Sequence, residues 1–413
     1  MADSPPISGN FNYPTTYRIG AGRVVELAAS CRELGIERPL VVTDPGVAAL
    51  PFFAAILERL AAAGLAAKVF SAIDPNPAVA HVEAGVAEAK AHAADGCVLI
   101  GGGSALDVGK CIALLVRNPG GVLDYEDRGE NWKRADGARI LPVIAIPTTA
   151  GTGSEVGRAA VILDPSDHAK KIVFHPRLQP RLVLADPELT LGLPPRLTAA
   201  TGLDAFAHCF EAYCAPAYHP MADGIALEGM RLIAANLPRA FEHGGDVAAR
   251  THLLMAAAMG ATAFQKGLGL IHALSHPVGG VTGLHHGTAN AIFQPYVMVH
   301  NREAIEARMP RLAQALELEA TGGTRTAGLG GVRGPSGRSS DRNAFDAVLE
   351  WFLALRRRLG LPESLEGLLA PEQIPALVPM VLADPSLETN PKTCSAAEIE
   401  RVLCKSIAGD LIP

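Results

Sequence analysis

The stretch "GLGLIHALSHPVGGVTGLHHGT", residues 267–288, carries four histidines within fifteen positions, while the whole 413-residue chain has only 13. His272 and His276 are four apart, which on a helix sends both side chains from one face one turn apart. His285 and His286 follow a glycine-rich bend. Upstream, in "GLDAFAHCFEAY" (202–213), Asp204 and His208 repeat the i, i+4 spacing. Three imidazoles and a carboxylate suit a divalent transition metal such as Fe²⁺ or Zn²⁺ better than Mg²⁺ or Ca²⁺. A lone D-x3-H on a helix is more often surface or capping chemistry. The second histidine pair is what argues for a metal here.

Two further stretches offer backbone and hydroxyl groups in place of metal donors. "CVLIGGGSALDVGK" (97–110) reads strand, glycine turn, helix, and the Ser104/Asp107 spacing of a capping box predicts a helix from residue 105. A glycine turn opening a helix leaves N–H groups free for a phosphate. It is neither GxGxxG nor a P-loop, since five residues separate Gly103 from Gly109 where a P-loop has four. On glycine content alone a plain tight turn fits equally well. "PTTAGTGSE" (147–155) also follows a strand, and two such loops at strand C-termini face one crevice, where α/β folds bind nucleotides. Asp44 ends the early strand "PLVVTD", placed either to accept from a ribose 2′-hydroxyl, which favours NAD over NADP, or to start the turn before Pro45.

The elements that must position these groups change character along the chain. Residues 39–44, 67–73, 97–103, 141–149 and 182–187 read as buried strands, with amphipathic segments such as 52–63 and 79–93 between them. This alternation predicts βα units in a parallel sheet. Residues 159–174 look instead like a β-hairpin around a D-P-S-D turn. After about residue 190 only helical periodicity remains. The expected division is an α/β dinucleotide-binding domain over 1–192 and a helical metal-binding domain over 193–413, with "LGLPPRL" (191–197) at the boundary. The glycine-rich, apolar-poor segment 321–341 reads as a mobile surface insertion.

Composition bounds the classes. Hydrophobic residues make 49% and charged residues 19% of the chain, which fits a packed globular enzyme. A net charge of −6 gives no basic footprint for nucleic acid. No apolar run approaches the roughly 18–20 residues that span a bilayer, so no membrane is expected. The N-terminus has no secretory signature, and seven cysteines without a CxxC suggest reduced thiols in the cytoplasm.

"GGGSALDVGK", "PTTAGTGSEV", "GLDAFAH" and "HALSHPVGGVTGLHHG" together resemble the iron-containing (group III) alcohol dehydrogenase family, over about residues 12–410. The resemblance implies a Rossmann-like N-terminal domain, an all-α C-terminal domain (dehydroquinate synthase-like architecture) and a cleft between them. It places Asp204, His208, His272 and His286 at the metal, and His276 near the substrate as a non-ligand. It assigns Asp44, Asn76, Gly102, Gly103, Ser104, Asp107, Thr148, Thr149 and Thr152 to the cofactor. His285 falls at a variable position and is left out.

The departures are Gly157, where many relatives have Ser or Thr, and the length of 321–341. The implied reaction is interconversion of an alcohol, expected to be primary, and its aldehyde by hydride transfer with NAD(H) and one divalent metal, in a homodimer or higher homo-oligomer. His276, one turn from His272, suits a proton relay, or else orients substrate or water from outside the metal sphere. Rival readings are a maleylacetate reductase-like or hydroxy-acid dehydrogenase, such as one for 4-hydroxybutyrate, a dehydroquinate synthase-like lyase, and a nucleotide-binding protein without turnover. The intact Asp204/His208 pair argues against the metal-free reductase, and the absence of an extra basic cluster argues against the lyase.

Overall fold

The apolar runs of the first half are short, rich in Val, Ile and Leu, and closed by Gly, Pro or Asp, the pattern of strands buried on both faces. The computed structural model describes residues 9–11, 15–166, 169–318 and 343–411. Its strands are β1 (Gly9–Phe11), β2 (Thr16–Ile19), β3 (Pro39–Val42), β4 (Lys68–Phe70), β5 (Gly96–Gly101), β6 (Val143–Pro147), β7 (Ala159–Leu163), β8 (Lys170–Phe174) and β9 (Leu182–Ala185). Seven form one sheet in the order β1-β2-β9-β6-β5-β3-β4. Every pair in it is parallel except β1–β2 at the edge. β3, β5, β6 and β9 are buried along their whole length. Alternate side chains of β5 feed two cores: Cys97 and Leu99 enter one, Val98 and Ile100 the other.

The helices Pro51–Ala62 and Val79–His92 lie where periodicity predicts them. So does the hairpin, in which β7 and β8 run antiparallel with Ala159 opposite Phe174 and Leu163 opposite Lys170. Sequence reasoning missed β1 and β2, which are only three and four residues long and so carry too few apolar positions for a pattern to show. The segment 321–341 lies outside the described residues.

From Pro195 onward the described residues contain helices and no strand. Pro195–Cys214 is buried from Thr198 to its end, as a helix at the centre of a bundle must be. Pro220–Glu242, Val247–Ala263, Leu270–Thr282 and His286–His300 pack around it in a core that includes Phe206, Phe293 and Phe352. Leu254, Ala258 and Ala261, on Val247–Ala263, also join the core on one face of the sheet. The two halves therefore share an apolar seam beside the strand C-termini. Among the described residues no single helix is long and apolar enough to cross a membrane.

Candidate metal centre and cofactor loops

Three helices bring four donors together. Asp204 and His208 project from Pro195–Cys214, His272 from Leu270–Thr282, and His286 opens His286–His300. Gly283, at φ 70°, ends the His272 helix in the left-handed conformation that lets the chain turn back. One ligand atom from each of Asp204, His208, His272 and His286 lies within 4.8 Å of all the others. From Asp204 Oδ1, the Nε2 atoms of His286, His208 and His272 are 3.5, 3.9 and 4.0 Å away. Close approach of two helices makes this possible: a Cβ on Gly287 would stand 2.2 Å from the Ala200 carbonyl oxygen and 3.1 Å from Asp204 Cβ.

The donor set fits a divalent transition metal. It combines three imidazole nitrogens with one carboxylate, and among the described residues no lysine or arginine pairs with Asp204. Burial pushes His208 down to about 4, with Asp204 opposing. Burial, helped by Lys170, holds His286 well below the ordinary value. Neutral imidazole is the form a metal binds. His272 is raised: burial works against this, but the charge and hydrogen bond of Glu211, with Asp204, outweigh it.

Neighbours hold the donors in place. Glu211 Oε2 lies 2.5 Å from His272 Nδ1, while its Oε1 accepts from the Ile271 N–H at 2.7 Å. Asn290 Nδ2 donates to Asp204 Oδ1 at 2.7 Å and lies 3.2 Å from Nε2 of both His272 and His286; its Oδ1 is buried without a partner. His276 stays outside the four-donor set. Its ring stacks on His286 with centroids 5.3 Å apart, and its Nδ1 sits 2.8 Å from Asp384 Oδ2. Burial would raise the Asp384 carboxyl, but His276 and the Ser386 hydrogen bonds hold it below the usual range. His285 precedes the His286 helix and is not among the four donors.

Sequence reasoning missed Glu211, Asn290 and Asp384. Glu211 is seven residues after Asp204, and Asn290 is four after His286, so both share a helix face with a ligand and carried a readable signal. Asp384, 108 residues from His276, carried none.

The two nucleotide-type loops meet as expected. A Cβ on Gly102 would lie 3.2 Å from Thr149 Oγ1, and one on Gly103 would lie 2.7 Å from Thr152 Cγ2. The Thr148 N–H donates to the Gly101 carbonyl at 3.0 Å. Ser104 Oγ donates to Pro75 O at 2.7 Å, tying the Asn76 loop to the glycine turn.

The capping box does not form. The helix is Gly103–Leu115, starting two residues early, and no side chain caps it. Asp107 is occupied elsewhere: it accepts from Ser154 Oγ at 2.6 Å and from the Val161 N–H at 2.9 Å, joining the threonine loop to the hairpin. Gly102 at the N-cap offers no side-chain acceptor to the first-turn N–H groups. Asp44 Oδ1 caps the next short helix through Val47 N–H at 3.0 Å, and Oδ2 faces Gly101. The turn-starting role of Asp44 is therefore present.

The threonine loop also touches the metal-side helices. A Cβ on Gly151 would meet Thr201 at 2.8 Å, and one on Gly153 would meet Ala261 at 2.3 Å. A mostly parallel sheet whose glycine and threonine loops meet is thus packed on a helical bundle that converges a carboxylate and three imidazoles, the architecture of a two-part enzyme with a candidate metal centre. The model of the iron-containing alcohol dehydrogenase family matches residues 14–187, and that of the family's C-terminal domain matches residues 198–407.

The chain belongs to that family and is an oxidoreductase of alcohols and aldehydes. It is 39% identical over 409 residues to the 4-hydroxybutyrate dehydrogenase of Cupriavidus necator, covering 96% of this chain and 99% of that one. It is 33% identical to the NAD-dependent methanol dehydrogenase of Bacillus methanolicus, covering 95% and 98%. A solved 1,3-propanediol oxidoreductase superposes with a TM-score of 0.84 at 28% identity, covering 97% and 99%.

Proposed function

We propose that Asp204, His208, His272 and His286 hold one divalent cation, Fe²⁺ by preference with Zn²⁺ as the alternative, and that the enzyme uses NAD rather than NADP. The observation that carries this is the convergence of one carboxylate and three imidazoles from three helices within 4.8 Å. Bound there, the cation supplies Lewis acidity that lowers the pKa of a substrate hydroxyl, and NAD accepts the hydride. Glu211 and Asn290 orient the ligands. His276, steadied by Asp384, takes the hydroxyl proton outward. Gly102, Gly103, Ser104, Thr148, Thr149 and Thr152 hold the dinucleotide, with Asn76 beside the turn. Asp107 serves by fixing the threonine loop. Asp44 faces the ribose edge and disfavours a 2′-phosphate.

The enzyme works as a homo-oligomer, a dimer at least, in the cytoplasm. The likeness to a 4-hydroxybutyrate dehydrogenase adds hydroxy acids to primary alcohols as substrates to test.

The test is NAD reduction by chelated protein over a panel of primary alcohols and ω-hydroxy acids, with Fe²⁺ or Zn²⁺ added back. Activity that returns with metal in the wild type but not in Asp204→Ala or His272→Ala supports the reading. NAD-linked turnover that ignores chelation overturns the metal assignment. Replacing NAD with NADP in the same assay tests the coenzyme preference.

A further inference from the structure

The helix that carries His272 begins without a cap of its own. Gly269 stands at the N-cap of Leu270–Thr282 and has no side chain to accept from the first-turn N–H groups. Two side chains from far along the chain take that place. Glu211 Oε1 accepts from the Ile271 N–H at 2.7 Å, and Asn390 Oδ1 accepts from the Leu270 N–H at 3.1 Å, across 120 residues. Glycine is what admits both acceptors: a Cβ on Gly269 would lie 2.9 Å from Asn390 Oδ1 and 3.0 Å from Glu211 Oε1.

Asn390 also reaches the other ligand helix. Asn301 is the C-cap of His286–His300, and the two buried amides pair reciprocally. Asn301 Nδ2 donates to Asn390 Oδ1 at 2.9 Å, and Asn390 Nδ2 donates to Asn301 Oδ1 at 3.0 Å. Asn390 Nδ2 also donates to Lys392 O at 2.7 Å, so both its donors and its acceptor are in use. An aspartate there would have nothing to donate to Asn301 Oδ1 or Lys392 O. One residue before, Thr389 Oγ1 donates to Leu268 O at 2.9 Å, just ahead of the His272 helix. A single amide thus ties the start of one ligand helix to the end of the other.

We propose that Asn390, paired with Asn301, is a positioning residue of the metal centre. It holds the His272 and His286 helices in the register that brings their Nε2 atoms to 4.0 and 3.5 Å from Asp204 Oδ1. This rests on the metal reading above. Asn390 is not one of the donors and acts on His272 through the helix backbone. A helix start released from its cap frays in the metal-free protein. Metal binding must then restore the order, so the loss appears in affinity.

The experiment measures Co²⁺ affinity by chelator competition, and the visible absorption of the Co²⁺ form, for the wild type, Asn390→Ala, Asn301→Ala and the double variant. Val348→Ala, a core truncation on Ala344–Arg358, is the control for lost stability alone. Each single variant should weaken Co²⁺ binding by about 2- to 30-fold, the range of one helix cap, and shift the absorption bands. The double variant should lose no more than either single one, and Val348→Ala should lower the melting temperature while leaving affinity and bands unchanged. Losses that add in the double variant overturn the paired clamp. Unchanged Co²⁺ affinity in Asn390→Ala overturns the positioning role and leaves Asn390 a packing residue. Hydrogen exchange on the metal-free wild type needs no variant to fold: the Leu270 and Ile271 amides should be protected, and exchange as fast as open first-turn amides overturns the cap. A wild type that binds no Co²⁺ fails the metal reading itself and takes this inference with it.

Discussion

Glu211 spans two groups of the neighbouring helix, one oxygen 2.5 Å from His272 Nδ1 and the other accepting the Ile271 N–H at 2.7 Å. The carboxylate therefore fixes both the ring orientation and the tautomer of His272, leaving Nε2 to face Asp204. Partners of this kind typically contribute 10- to 100-fold in metal affinity. Glu211→Gln keeps the shape but removes the charge, so Fe²⁺ or Zn²⁺ affinity should fall by about that factor in a chelator competition. An unchanged affinity would leave Glu211 with a packing role only.

His276 and Asp384 should separate metal binding from proton transfer. His276→Ala should retain a full complement of metal while kcat drops about 10²- to 10⁴-fold. Asp384→Asn, which weakens the 2.8 Å pairing, should show a smaller fall in the same direction. Metal content and steady-state kinetics on the same preparations decide it. Loss of metal from His276→Ala would make that residue a ligand.

Gly287→Ala should damage the site without touching a ligand. The new methyl would meet the Ala200 backbone at 2.2 Å, and backbone cannot rotate away, so the Asp204 and His286 helices must separate. A stability loss of about 1–3 kcal/mol is expected for such overpacking, together with weakened metal binding. Gly245→Ala, with nothing within 4 Å of the new carbon, is the control. Matching melting temperatures in the two variants would contradict the close-approach argument.

Glu155, buried in the threonine loop with Oε1 unpartnered, gives a pH dependence. Burial raises its carboxyl from 4.5 to about 7, with its backbone hydrogen bond and Lys110 opposing. The folded protein then keeps a proton that the unfolded chain releases, so this group's stability contribution is whole at low pH. It is lost as pH rises from about 4.5 through about 7, on the order of 3 kcal/mol in all. Glu155→Gln should flatten the fall in melting temperature over that window. Parallel curves for variant and wild type would rule this contribution out.

Much of the site was legible because intrahelical spacing is a local code. An i, i+4 pair shares a face whatever the fold does, so Asp204/His208 and His272/His276 announced themselves, and Glu211 and Asn290 lay on the same faces to be read. Strand and glycine-turn signals are local too, and they set the sheet, the hairpin and the two loops.

What only the tertiary structure decided is which faces meet and which groups are already occupied. The capping box failed because Asp107 found the Ser154 hydroxyl and the Val161 N–H, 47 and 54 residues away. His276 stands outside the donor set although it shares a helix face with His272, and its partner Asp384 lies 108 residues on. Each of these depends on packing between distant elements, and no window of the sequence contains both partners.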